Sequence, residues 1–293
     1  MQVKLARELG FCFGVKKTLK LFDEMGSDSR GVKTLGTLVH NPQVVSELKA
    51  RGVGVAYSVD EVDSGTLTIT AHGAGPDAYA EAQRKGLRLL DTTCPLVTKV
   101  QKIAESLHKD GYQVVVYGDP NHQEVRGIVG WTENTALVST DAKELVPRLK
   151  ALTSSKKRVP KKLAIVSQTT QPAERFKSFI AELVSLLPDD FNEFHVHNTI
   201  CQPTLDRQSA VVELANEVDV MVVVGGRDSA NTKHLAELAS EEGVPTYHIE
   251  WPEEIDPNWF KGAKVVGVTA GASTPDAVIE KVVKTIEAIE PEE

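Results

Sequence analysis

Three cysteines, each set between a predicted strand and a predicted helix, mark out repeating thirds along a chain of 293 residues. Apolar runs rich in β-branched residues at Val114–Tyr117, Leu163–Val166, Val218–Val224 and Val265–Val268 predict buried strands. The periodic segments Val97–Leu107 and Leu235–Ala239 belong to amphipathic helices. Buried strands alternating with such helices predict α/β architecture with mainly parallel sheets.

Three markers recur. Each cysteine precedes a helical pattern, in Gly10-Phe11-Cys12-Phe13-Gly14, in Cys94-Pro95 and in Cys201-Gln202-Pro203, and the prolines suit a first helical turn. A polar residue at a later helix start follows each cysteine: His40 and His122 come 28 residues after Cys12 and Cys94, and Asn231 comes 30 after Cys201. A strand then runs into a small polar turn and a proline, at Thr70–Pro76, Ser167–Pro172 and Thr269–Pro275. Its prolines are 96 and 103 residues apart. Three α/β units follow, 1–95, 96–198 and 199–293, each of ordinary domain size, with terminal segments free to pack on a neighbour. Any α/β chain repeats strand, turn and helix, and these repeats share little side-chain identity. What sets them apart is chemistry where open α/β sheets place ligands, at strand C-termini and the adjoining helix N-termini. A pseudo-threefold, trefoil-like arrangement would bring the cysteines to one axis.

A net charge of −8 argues against a surface that neutralises nucleic-acid phosphates or an anionic membrane. The basic cluster Lys156, Lys157, Arg158, Lys161 and Lys162 reads as a solvated connection. No apolar stretch reaches the roughly 20 residues of a membrane span. The N-terminus lacks the charged and apolar regions of a secretory signal, so a cytoplasmic chain is expected.

An odd number of widely spaced cysteines is no disulfide framework. A lone buried cysteine is more often an apolar filler, yet helix N-termini favour thiolates, and thiolates bind zinc or iron–sulfur clusters. Structural zinc takes four ligands and often shows Cys-x-x-Cys pairs, which are absent, although zinc stays open as an alternative. Three remote cysteines better suit one cubane cluster with an open iron. An acidic chain can still bind diphosphate where helix N–H groups converge with His40, His72 and His122 and with the neutral donors Ser229, Asn231 and Ser273. Glu124 either complements a helix dipole or, with its pKa raised by burial, donates a proton that Thr169 relays.

At these residues the chain resembles the LytB family of 4-hydroxy-3-methylbut-2-enyl diphosphate reductases, from residue 3 to about residue 285. The resemblance lies in Gly10–Val15, Val39–Asn41, Ala71–Gly73, Thr93–Val100, His122–Val125, Gln168–Thr170 and Val268–Ser273, seven stretches in order. It implies three α/β domains around a central iron–sulfur site and reductive removal of an allylic hydroxyl, giving isopentenyl and dimethylallyl diphosphates. Carried onto matching positions, it implies that Cys12, Cys94 and Cys201 ligate one [4Fe–4S] cluster and that Glu124 and Thr169 deliver protons. His40, His72, His122, Ser229, Asn231 and Ser273 are implied to hold the diphosphate. Many members have Ser-Ser-Asn where this chain has Ser229-Ala230-Asn231, which removes one side-chain donor.

Gly225-Gly226 follows a strand without the G-x-G-x-x-G spacing of a dinucleotide site. Two electrons are therefore expected from an external donor such as ferredoxin or flavodoxin. An iron–sulfur hydro-lyase acting on a small phosphorylated substrate, which consumes no electrons, and a phosphate-binding protein with structural zinc remain the rival readings.

Overall fold

The computed structural model describes residues 1–24, 31–154, 162–187 and 191–289. Lys156, Lys157, Arg158 and Lys161 of the basic cluster lie outside these residues; Lys162 pairs with Glu193 at 3.1 Å.

Strand β1 (Gln2–Leu5) precedes α1 (Phe13–Glu24). Next come β2 (Val32–Leu35), α2 (Pro42–Ala50), β3 (Gly54–Ala56), β4 (Thr66–Ile69), α3 (Pro76–Arg84) and β5 (Arg88–Asp91). The middle of the chain holds α4 (Pro95–Lys109), β6 (Gln113–Tyr117), α5 (Gln123–Gly130), β7 (Leu137–Val138), α6 (Ala142–Ser154), β8 (Lys162–Ser167), α7 (Ala173–Leu186) and β9 (Glu193–His197). The last part holds α8 (Gln202–Ala215), β10 (Val220–Val224), α9 (Ala230–Glu241), β11 (Thr246–Ile249), β12 (Val265–Ala270) and α10 (Asp276–Glu287).

These strands form three four-stranded sheets, ordered β3-β2-β4-β5, β7-β6-β8-β9 and β11-β10-β12-β1, and every strand pair is parallel. Numbered from the first strand of each repeat, all three have the order 2-1-3-4. The third sheet closes the pattern with a strand from the other end of the chain: β1 takes the fourth place, pairing Gln2 with Val265 through Leu5 with Val268.

The described chain divides into two compact units, one of Met1–Arg30, Thr37–Val53 and Gln202–Glu293, the other of Gly31–Gly36 and Gly54–Cys201. The first holds one sheet with an apolar cluster on each face. Val220, Val222, Val224, Val266 and Val268 pack with Ile279, Val282 and Ile286 of α10. Met221 and Val223 pack with Val211 and Leu214 of α8 and Leu235 of α9. This strict alternation along β10 is why a run of four valines and a methionine is stable as a strand covered on both sides. The second unit holds the other two sheets. Val114, Val116, Ala164 and Val166 pack with Val100 and Ala104 of α4 and Val125 and Ile128 of α5. Leu67 packs with Ala82 of α3.

The expected strand Val218–Val224 begins later, at Val220. Asp219 interrupts it because its carboxylate accepts the amides of Lys264 at 2.7 Å and Val265 at 2.9 Å, aligning the starts of β10 and β12. The remaining predicted strands lie within β6, β8 and β12, and the predicted helical segments lie within α4 and α9.

Candidate active site

In a 2-1-3-4 parallel sheet the chain leaves strand 1 toward one edge and returns as strand 3 on the other side, and ligands favour the cleft outside the carboxyl ends at that reversal. The expected pocket residues occupy these loops or, for Asn231, the helical turn that follows. In the second unit His72 follows β4, His122 follows β6 and Thr169 follows β8; in the first, Ser229 and Asn231 follow β10 and Ser273 follows β12.

The cysteines follow the fourth strands, and the three settings match bond for bond. Cys94 N–H donates to the Ala71 carbonyl, Cys201 N–H to the Thr169 carbonyl and Cys12 N–H to the Ala272 carbonyl, each at 3.0 Å. Each acceptor lies two residues beyond the third strand of its sheet. Directly after each cysteine a helix begins, at Phe13, Pro95 and Gln202. Cys94 is the N-cap of α4, with Pro95 at the first helical position, where a missing N–H costs nothing. Helix N-termini carry partial positive charge, which favours thiolate over thiol. All three cysteines are outside any disulfide and are partly accessible. This donor set fits a thiolate-ligated metal group.

Glu124 is 2 % exposed, in the first turn of α5. Its Oε1 accepts the Thr169 amide at 2.7 Å and its Oε2 accepts the Thr169 hydroxyl at 2.9 Å. Burial pushes its pKa up to about 7, against the two Thr169 bonds, which favour the ionised form and pull it back. A carboxyl poised there is present in both protonation states near neutral pH. The Thr169 hydroxyl can reverse, donating to the carboxylate or accepting from the carboxylic acid, so the pair can hold and pass a proton. The Thr169 carbonyl, at the same peptide, receives the Cys201 amide.

His122 caps α5 by accepting the Glu124 amide on Nδ1 at 3.2 Å. In the neutral ring this places the proton on Nε2, which makes Nε2 a donor. The His72 ring lies edge-on to it, with centroids 5.4 Å apart. Between His122 and Glu124, Gln123 donates from Nε2 to the Leu35 carbonyl at 2.5 Å and to Thr70 Oγ1 at 3.0 Å, tying the ends of β2 and β4 to the start of α5.

In the first unit, Ser273 Oγ donates to the His40 carbonyl at 3.2 Å. Burial lowers the His40 pKa; Asp228 opposes this and Lys233 adds to it. Gly226 passes so close to His40 that a Cβ there would lie 2.4 Å from the His40 carbonyl oxygen. Gly226 thus lets two turns touch. Ser229 caps α9 by accepting the Thr232 amide at 3.3 Å, and the buried Asn231 Nδ2 has no hydrogen-bond partner among the described residues. Ala230 opens α9, where backbone N–H groups are the donors that remain.

Several expected site residues are therefore in direct contact: Glu124 with Thr169, His72 with His122, and His40 with Ser273. Sequence reasoning missed two residues. Gln123 stood inside the quoted His122–Val125 stretch without a role. Arg207, 3 % exposed in α8, had no signal beyond being a charged residue on a helix that follows Cys201.

The profile of the LytB protein family matches residues 3–287. A 4-hydroxy-3-methylbut-2-enyl diphosphate reductase from Geotalea daltonii is 42 % identical, with 99 % of this chain and 98 % of the relative covered. A reductase of the same name from Dehalococcoides mccartyi strain CBDB1 is 38 % identical, with 96 % of each chain covered. A solved structure of (E)-4-hydroxy-3-methyl-but-2-enyl diphosphate reductase, described as the terminal enzyme of the non-mevalonate pathway, superposes with a TM-score of 0.68. It is 39 % identical and the match covers 99 % of this chain and 100 % of that one. The E-1-hydroxy-2-methyl-but-2-enyl-4-diphosphate reductase of Plasmodium falciparum gives a TM-score of 0.84 at 26 % identity, with 97 % and 87 % covered.

Proposed function

Because this chain belongs to the LytB protein family, we propose that it reduces 4-hydroxy-3-methylbut-2-enyl diphosphate as the terminal, iron–sulfur-dependent enzyme of the non-mevalonate pathway. The products are isopentenyl and dimethylallyl diphosphates. Cys12, Cys94 and Cys201 would hold the group as a [4Fe–4S] cluster with one iron left open. The observation that carries this reading is the repeated cysteine setting, in which the same backbone bond and the same helix start recur in all three sheets. When bound, such a cluster supplies electrons and Lewis acidity. Three cysteines outside any disulfide suit a reducing compartment, which supports a cytoplasmic setting. No helix among the described residues is long and apolar enough to cross a membrane.

The protein's own residues divide the remaining work. His40, His72, His122, Ser229, Asn231 and Ser273 bind and orient the diphosphate. His122 Nε2–H and the first-turn amides of α9 are donors of the kind anions prefer. Glu124 carries the proton that converts the departing hydroxyl to water, and Thr169 holds that proton in line and takes part in its transfer. Its pKa of about 7 supports this assignment, since a donor works best when its pKa lies near the operating pH. Ferredoxin or flavodoxin would deliver the two electrons. The repeat units are 1–95, 96–198 and 199–293, supported by the strands β2–β5, β6–β9 and β10–β12 that fall within them.

Anaerobic purification followed by metal analysis, visible absorption and electron counting tests the reading. A brown protein that consumes two electrons per diphosphate converted is expected. A colourless zinc protein, or conversion without electron consumption, would refute it.

A further inference from the structure

Arg207 lies in the second turn of α8, with only 3 % of its surface exposed. Its guanidinium makes two hydrogen bonds, from Nη2 to the Gly10 carbonyl at 2.7 Å and from Nη1 to the Pro203 carbonyl at 2.8 Å. The buried Nε has no partner, and no carboxylate forms an ion pair with the group among the described residues. Asp276 comes close to Gly10, its Oδ1 being 2.8 Å from where a Cβ on that glycine would stand, but it is exposed and does not pair with Arg207.

A cation withdrawn from water without a counter-ion is costly, and two neutral carbonyls offset only part of that cost. Such a group persists where an anion completes it. Both carbonyls stand next to expected cluster ligands in the chain: Gly10 is two residues before Cys12, and Pro203 is two residues after Cys201. Gly10 also has a φ of +72°, the left-handed conformation that favours glycine. It lies in the turn that leads into Cys12, and the guanidinium holds its carbonyl.

We propose that Arg207 is a positioning residue for the iron–sulfur site: it locks the Gly10–Cys12 turn and provides the fixed buried positive charge that balances a thiolate-held cluster. The proposal rests on reading Cys12 and Cys201 as ligands. A positive charge favours the more negative, reduced state of a cluster, and charge and hydrogen bonding around the sulfurs are established determinants of cluster potential. A merely structural arginine would leave the potential unmoved.

The test uses the full chain, reconstituted anaerobically with iron and sulfide, as wild type, R207K and R207Q. Two quantities are read: the midpoint potential and the rate of cluster loss to a chelator. R207Q is expected to lower the reduced-to-oxidised ratio at fixed potential about tenfold, equivalent to about 59 mV for a one-electron couple. R207K keeps the charge and should stay near the wild-type potential. It should nevertheless lose its cluster several-fold faster, because an ammonium cannot reproduce the planar fork that holds both carbonyls. A wild-type potential in R207Q, or an equal shift in both variants, overturns the proposal. If R207Q does not fold, R207K decides: a shifted potential or unchanged retention overturns it, and the expected pair of results supports it. If the wild type itself takes up no cluster, the ligand reading fails and this proposal falls with it. If the wild type loads and both variants match it, only the role of Arg207 is lost.

Discussion

Replacing Glu124 with Gln should change how stability depends on pH. The folded protein holds this carboxyl at about 7 instead of the ordinary 4.5, because burial outweighs the two bonds from Thr169. A pKa raised on folding means that the folded state binds the proton more tightly than the unfolded state. The resulting stabilisation is complete below the ordinary value and is lost as pH rises through the folded one. With each tenfold in proton affinity counting about 1.4 kcal/mol, the whole effect is about 3 kcal/mol. Most of it, on the order of 2–3 kcal/mol, falls between pH 5 and pH 8. Gln cannot titrate, so wild type minus E124Q isolates the Glu124 contribution. Anaerobic urea unfolding of both proteins from pH 5 to 8 should show the wild type losing on the order of 2–3 kcal/mol relative to the variant across that range. A difference that is flat in pH, or that grows toward alkaline pH, would refute the inference that burial controls this carboxyl. It would also remove the physical basis for Glu124 as a proton donor, because a carboxyl left at 4.5 is only about 0.3 % protonated at pH 7.

Other outcomes follow from the same geometry. E124Q should lower kcat by about 10²–10⁴-fold, the usual worth of a general acid, with KM little changed; steady-state kinetics with a chemical reductant reads both. T169V removes a donor that favours the carboxylate, so the pH window of the Glu124 contribution should move upward in the same unfolding experiment. Cys12→Ser, Cys94→Ser or Cys201→Ser should each cut iron bound per chain after anaerobic reconstitution, whereas retention in any one would exclude that cysteine as a ligand. G226A should destabilise the fold by about 1–3 kcal/mol, since its Cβ would press on backbone at His40, and thermal unfolding would detect this.

Much of the fold was legible because it is written in local period. Alternating valines along β10 and the helical spacing across α4 specify buried strand and amphipathic helix within a few residues of sequence. The cysteines, the helix starts that follow them and the proposed pocket residues stood out for the same reason, since thiolate and imidazole chemistry at a strand-to-helix turn is a local property. The strand expected over Val218–Val224 was started two residues early because the role of Asp219 depends on amides 45 and 46 residues away. Gly225-Gly226 showed only that no dinucleotide fingerprint was present. The contact of Gly226 with His40 belongs to packing between distant turns.

By itself the sequence determined the alternation of strand and helix, the three sulfur atoms and the family to which the chain belongs. Tertiary structure alone decided that β1 completes the last sheet and that each cysteine amide meets the carbonyl two residues past a third strand. It likewise decided that Glu124 is buried against Thr169 and that Arg207 is sealed against Gly10. The physical reason is range. Backbone propensity and hydrophobic period act over one or two turns of chain. Burial, proton affinity and charge compensation depend on which remote groups exclude water from a site, and no window of sequence contains them.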